Sequence, residues 1–342
     1  MAGQSQEVGA SRRRSWVGRG ARLLVTGALV FFLVQLVDLQ RVGVLLASAD
    51  LLLLAAALLV SVADRFLMVV KWLPLLRAQV GAVSLAQASR AYFASGVAHY
   101  VLPASIGADV VRAFVLGRGR GLAIVEIGAS IVAERVLGIV GTAAMSVLAV
   151  AIAMRQGLAL GLVVPWALAS VVLGLALLLL PLESGLGRLH HWTHTWLPSR
   201  WVRQIDRFGL AYSAYRRRPG LLAVVSLLTL VRQLFPVAAM WLSGLALGLP
   251  VTVLMLLVAV PLILFAARVP LSLGGVGVGE GATVYLLGLY GVPPSDALAL
   301  ALVCRVIDVL VNAGPALFLW PDLVKAGTLV QGAAPAVGGN RP

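Results

Sequence analysis

Charge is what this sequence has least of: 12% of its 342 residues are Asp, Glu, Lys or Arg, against about a quarter in an ordinary soluble domain. With 61% hydrophobic side chains, a water-soluble globule would lack polar surface to present, so soluble enzymes and soluble binding modules are excluded. Cysteine is nearly absent. The single Cys304 lies in an apolar run and has no partner in the chain, which rules out an intramolecular disulfide framework. His190, His191 and His194 have no cysteine nearby to complete a metal set, and beside Trp192 and Trp196 they read as interfacial residues. No Ser-His-Asp arrangement is legible. Gly274 to Gly279 has phosphate-loop spacing, but Glu280 follows where a lysine would be needed. Neither a metal nor a cofactor is expected.

What is present is a series of apolar runs that reach or exceed the roughly 20 residues needed to cross a bilayer as a helix. They lack the period-2 alternation of barrel strands. The predicted fold is therefore all-α, a polytopic membrane helical bundle. The net charge of +14 sits in the gaps between runs, where positive-inside bias places it. A nucleic-acid partner is not expected.

Residues 1–22 form a basic N-terminus with Arg12, Arg13, Arg14, Arg19 and Arg22. The run after it resembles a signal peptide, yet Ala47-Ser48-Ala49 lies beyond Asp38 and Arg41, too far from the apolar run for ordinary processing. It is read as an uncleaved first helix entering from the cytoplasm. Crossings are predicted at 23–40, 50–73, 122–154, 159–181, 221–248 and 297–320. Lys71, Arg77 and Arg90 should reach the cytoplasmic face, and Asp64-Arg65 needs only an ion pair or snorkelling. Residues 84–118 and 251–290 each read as a short helix, a Pro/Gly break and another short helix, which describes a re-entrant hairpin. Broken backbone is tolerated at membrane depth only inside protein or facing a wet cavity. The insert 183–220 carries seven arginines and is cytoplasmic; Trp201, Ile205, Phe208, Tyr212 and Tyr215 mark one face of an amphipathic helix within it. The tail, 321–342, has no packing capacity and is expected to be disordered.

This parse divides the chain into two repeats, 23–154 and 155–320, each with a Pro/Gly break. Pro103 precedes Arg135 by 32 residues and Pro270 precedes Arg305 by 35. The first repeat starts inside and the second outside, so the two are upside-down copies. Such layouts bring broken helices together at the midplane, with their N-terminal dipoles facing anionic groups.

Charges inside these segments cost on the order of 2.5–3.5 kcal/mol each at the bilayer centre, so they tend to be paired or functional. Asp109 and Arg112 stand at i, i+3 on one helix face. Arg112 suits a phosphate because a guanidinium binds its oxygens bidentately and stays protonated when dehydrated. Asp109 either orients it, switches it by protonation, or simply forms a structural pair with it. Glu134 and Arg135 are about 100° apart on their helix, so one should pair across to another helix. Arg305 and Asp308 mirror the Asp109/Arg112 spacing in reverse order. Glu280 opens the second short helix and either complements its dipole or couples a proton. His99, one turn before Pro103, is either a titrating group or a hydrogen-bonded one.

The segments PASIGADVVRAFVLGR, AERVLGIVG and VPLSLGGVGVGEG resemble the membrane region of lysylphosphatidylglycerol synthase/flippase proteins and their free-standing flippase-like relatives, over about residues 20–320. The resemblance implies a lipid-translocating domain in a prokaryotic plasma membrane, with both termini cytoplasmic. It points to Pro103, Gly107, Asp109, Arg112, Glu134, Arg135, Pro270, Gly274, Gly275, Gly277, Glu280 and Arg305. Full-length members add a large aminoacyl-transferase domain, whereas about 20 residues follow the last apolar run here, so aminoacyl transfer is not expected. Ala104-Ser105-Ile106 is less glycine-rich than the family pattern. The expected function is flippase-like translocation of an anionic or glycosylated phospholipid, with membrane lipids as partners. The alternatives are a membrane-embedded enzyme or accessory subunit acting on a lipid-linked substrate, and a scaffold for a partner lipid synthase.

Overall fold

A computed structural model describes residues 26–29, 31–96, 106–118, 124–157, 164–165, 167–172, 211, 213–268 and 275–318. Every regular element among them is helical. In chain order these are α1 (Thr26–Leu36), then α2 (Leu39–Ala47), α3 (Leu51–Val80), α4 (Leu85–Ala94), α5 (Ile106–Arg118) and α6 (Ile124–Arg155). After a 3-10 turn at Ala214–Arg217 come α7 (Pro219–Arg232), α8 (Leu234–Ala246), α9 (Val253–Arg268), α10 (Val278–Gly288) and α11 (Pro294–Phe318).

Among the described residues, three helices are long and apolar enough to cross a membrane: Leu51–Val80, Ile124–Arg155 and Pro219–Ala246. The run expected to end at Leu73 continues to Val80 through Pro74. At 1.5 Å per residue its 30 residues span about 45 Å, more than the hydrocarbon thickness. The third crossing is split at Gln233 into α7 and α8. Pro236 explains the split, since its ring clashes with the carbonyl of Arg232 four residues back and offers no N–H. The first crossing, expected as a straight 23–40, turns by 86° between α1 and α2. Asp38 sets that corner, because its carboxylate accepts from the Gln40 and Arg41 N–H groups and caps α2. The connection expected between the crossings 23–40 and 50–73 is therefore largely helical. Although α11 has 25 residues, it carries Asp296, Arg305 and Asp308 and is not among the three.

The chain forms two compact units. One comprises Met1–Asp64, Gly138–Leu179 and Thr229–Asp308; the other comprises Arg65–Leu137, Leu180–Leu228 and Val309–Pro342. In the first, Asp64 and Arg232 form a bidentate pair at 2.7 and 2.9 Å, which supplies the partner that Asp64 needs. The Gln233 carboxamide donates to Thr142 Oγ1 at 2.8 Å, and α9 packs on both α8 and α10. Ala149, Ala153 and Val258 form a core with Ile152 and Tyr290.

In the second unit, α4 packs on α5. A capping box of Ser84 and Gln87 starts α4. Ala88 and Ala91, both fully buried, let helices approach closely, as small residues do where lipid gives no hydrophobic drive for helix association. Trp72, Leu76, Ile127 and Ile131 complete that core. A second cluster joins Leu75, Ala133, Tyr215 and Val225, with the Tyr215 hydroxyl donating to the Leu75 carbonyl at 2.8 Å.

A buried cation cluster as the candidate functional site

Among its described residues, the second unit holds three charged side chains that are almost wholly buried: Lys71 at 2%, Arg112 at 5% and Glu134 at 4% exposure. Arg112 comes from α5, Glu134 from α6 and Lys71 from α3. Arg112 Nη2 donates to Glu134 Oε2 at 2.7 Å, and Lys71 Nζ lies 3.7 Å from Glu134 Oε1, too long for a hydrogen bond. Two cations thus share one carboxylate. The guanidinium also sits over two rings, with Cζ 4.2 Å from the Trp72 centroid and 5.3 Å from that of Tyr92. Trp72 is itself fixed, since its Nε1 donates to Ser130 Oγ at 3.0 Å. Ring faces stabilise a dehydrated cation by roughly 1–2 kcal/mol, so the aromatic walls offset part of the cost of burying Arg112.

The pairing is incomplete. Among the described residues, Arg112 Nε and Glu134 Oε1 are both buried with no hydrogen-bond partner. Leaving a buried donor or acceptor unmet costs about 1–3 kcal/mol, so the arrangement is not one that stability alone would select.

The same two helices carry a second, more exposed bridge. Arg135 Nε lies 2.5 Å from Asp109 Oδ2, with side-chain exposures of 44% and 22%. Asp109 and Arg112 therefore do not serve each other: each reaches from α5 to α6, to Arg135 and Glu134 respectively. Glu134 and Arg135 both pair across, where one was expected to. Screened by solvent, the outer bridge is worth within about 1 kcal/mol.

In the other unit, Glu280 at the start of α10 engages both oxygens. Oε1 accepts from Arg305 Nε at 2.8 Å and Oε2 from the Gly277 N–H at 2.7 Å. Arg305 Nη2 further donates to the Gly275 carbonyl at 3.2 Å. Gly275 and Gly277 hold φ of +74° and +86°, a region that side chains rarely adopt. Arg305 is thus tied to Glu280 and Gly275, while Asp308 lies half-buried further along α11. Gly107 falls in the first turn of α5. His99, Pro103, Pro270 and Gly274 lie outside the described residues.

Lys71, Trp72 and Tyr92 were missed as site residues. An apolar run ending at Leu73 puts Lys71 at the cytoplasmic face, whereas the helix continues to Val80 and buries it. A lysine followed by tryptophan, with eight further helical residues through Val80, is the signal that finds it. Among the described residues, no group of three His, Cys, Asp or Glu side chains could hold a metal ion.

A chain with helices of membrane length and a charged cluster inside one unit narrows the comparison with known proteins. Residues 21–315 match the family described as Lysylphosphatidylglycerol synthase TM region. The chain belongs to that family. Among curated proteins none matches significantly. Membership places this chain among membrane proteins related to lipid modification or transport, and the match is to the membrane region of the synthases. The buried cluster and the exposed bridge beside it both fall within the matched residues.

Proposed function

We propose that this member of the lysylphosphatidylglycerol synthase membrane-region family is a flippase-like lipid translocase, in which Arg112 receives the phosphate of an anionic or glycosylated phospholipid headgroup while the acyl chains stay in lipid. The observation that carries the reading is the buried guanidinium whose Nε is unpaired, backed by Trp72 and Tyr92 and flanked by Lys71. Phosphate oxygens match that donor fork, and guanidinium–phosphate contacts are among the stronger charge-assisted hydrogen bonds.

The wider layout belongs to the same proposal. Six crossings and two opposed re-entrant hairpins, 84–118 and 251–290, form an inverted repeat in a prokaryotic plasma membrane with both termini cytoplasmic. The packing of α4 on α5 and of α9 on α10 supports the pairing of short helices that this layout needs.

The test is leaflet exchange of a fluorescent phosphatidylglycerol in liposomes carrying the purified chain. Arg112→Ala should reduce exchange at least tenfold, and Arg112→Lys should recover only part of it. Exchange in Arg112→Ala equal to that of the native chain sinks the reading. Chemical turnover of the lipid without exchange instead supports a membrane-embedded enzyme.

A further inference from the structure

We infer that Glu134 is the resident counter-anion of the site: it holds Arg112 in the unliganded protein and is displaced from the guanidinium by an arriving phosphate ester. The inference rests on the reading of Arg112 as the phosphate-binding residue and adds a role for the carboxylate that occupies it.

Three observations carry it. First, among the described residues Glu134 holds Arg112 by a single bond, Oε2 to Nη2 at 2.7 Å, and Nε and its own Oε1 are buried without a hydrogen-bond partner. A carboxylate selected as a staple engages fully, as Glu280 does with Arg305 and the Gly277 N–H. A phosphate ester with two free oxygens can take Nε and an Nη together, satisfying the donor that Glu134 leaves open. Second, Glu134 is not the guanidinium's only contact. The Trp72 ring face at 4.2 Å and the Tyr92 ring at 5.3 Å back it, and Ser130 fixes the indole. Third, the displaced carboxylate has somewhere to go. Lys71 Nζ is 3.7 Å from the unmet Oε1, so a shift of about 1 Å turns a through-space attraction into a direct hydrogen bond. No buried charge is stranded by the exchange, which keeps its barrier low.

Competition between carboxylate and phosphate for one guanidinium also makes binding reversible. A site that held phosphate with no resident competitor would bind more tightly and release more slowly, and a transporter needs release. Glu134 is thus a positioning residue that trades affinity for turnover.

The chemistry recognised is a phosphate oxygen pair, whether on a lipid headgroup or on free phosphate. The experiment measures binding of dioctanoyl phosphatidylglycerol and, separately, of inorganic phosphate to the purified full chain in detergent, for the native protein, Glu134→Gln and Arg112→Ala. Glu134→Gln should bind the short-chain lipid about tenfold more tightly than the native chain and exchange long-chain lipid more slowly in liposomes. Tightening for the lipid alone supports displacement by a headgroup; tightening for inorganic phosphate supports displacement by the free ion. Affinity for both probes that is unchanged or weaker in Glu134→Gln overturns the inference. If Glu134→Gln does not fold, the double variant Lys71→Gln/Glu134→Gln keeps the net charge of the native cluster and should show the same tightening, and native affinity there overturns the inference equally. Native-like binding in Arg112→Ala is a different failure: it removes the phosphate reading itself.

Discussion

Glu280 and Glu134 each bridge a short helix to the long helix that follows it, and each meets an arginine. Around Glu280 every carboxylate oxygen has a donor, one of them the N–H that opens α10, and Arg305 reaches on to the Gly275 carbonyl. Around Glu134 one oxygen and one guanidinium nitrogen go unmet, while a lysine and two aromatic rings crowd the same space. The donor and acceptor are also exchanged: the short helix carries the acid in one case and the base in the other. Similar ingredients thus make a closed joint in one unit and an open cluster, the proposed binding site, in the other, and what separates them is whether hydrogen-bonding capacity is used up or held open.

This contrast can be broken by substitution. The largest effect is expected at the closed joint. Glu280→Ala takes the carboxylate from the partly exposed Arg305 and removes the cap of α10, costing about 3 kcal/mol, the low end for a broken buried pair; a thermal-unfolding midpoint that hardly moves would show the joint to be ornamental. Next is Gly277→Ala, which forces a side chain to φ +86° with its Cβ 2.7 Å from that of Leu29. A loss of about 1–3 kcal/mol is expected, read in the same melts, and anionic lipid should not restore it. Trp72→Leu, in the open site, removes a ring face, the bond to Ser130 and packing at a fully buried position, about 2 kcal/mol in all. Its distinguishing signature is a loss of headgroup affinity that exceeds the loss of stability, and equal losses in both would make Trp72 ordinary packing. The smallest effect is expected for Asp109→Asn at the exposed bridge, within about 1 kcal/mol. A larger drop in the melting temperature would mean that the outer bridge, and not the buried one, fastens α5 to α6.

The long helices, and the charged intruders within them, can be read from composition and spacing alone, because a charge in an apolar run is conspicuous at one residue's resolution. Partner choice is not readable in that way. Asp109 and Arg112 share a helix face at i, i+3 and look like each other's partners, but helix packing offers each a closer match, Arg135 at 2.5 Å and Glu134 at 2.7 Å. Lys71 escaped because the rule that sends positive charge to the cytoplasmic face is statistical, whereas its burial follows from a helix that runs on through Pro74 to Val80. The aromatic walls escaped for a related reason: Trp72 and Tyr92 are 20 residues apart in sequence and meet over Arg112 only once α3, α4 and α5 have packed. The corner at Asp38 was hidden for the opposite reason, since one capping carboxylate redirects a chain that apolar content alone would send straight on.

That corner carries a consequence for how the chain is made. The Asp38 N–H donates to Ser295 Oγ at 2.9 Å, and Arg41 grips the Asp296 carboxylate with two nitrogens, the Nη2 contact at 2.8 Å. The contacting residues lie 255 or more positions apart. At ribosomal speeds of about 5–20 residues per second, Arg41 waits on the order of 10–50 s for its acid to be synthesised. The opening helices must therefore be inserted first and fastened last, and a nascent chain halted short of Ser295 would leave its N-terminal bend untethered to α11.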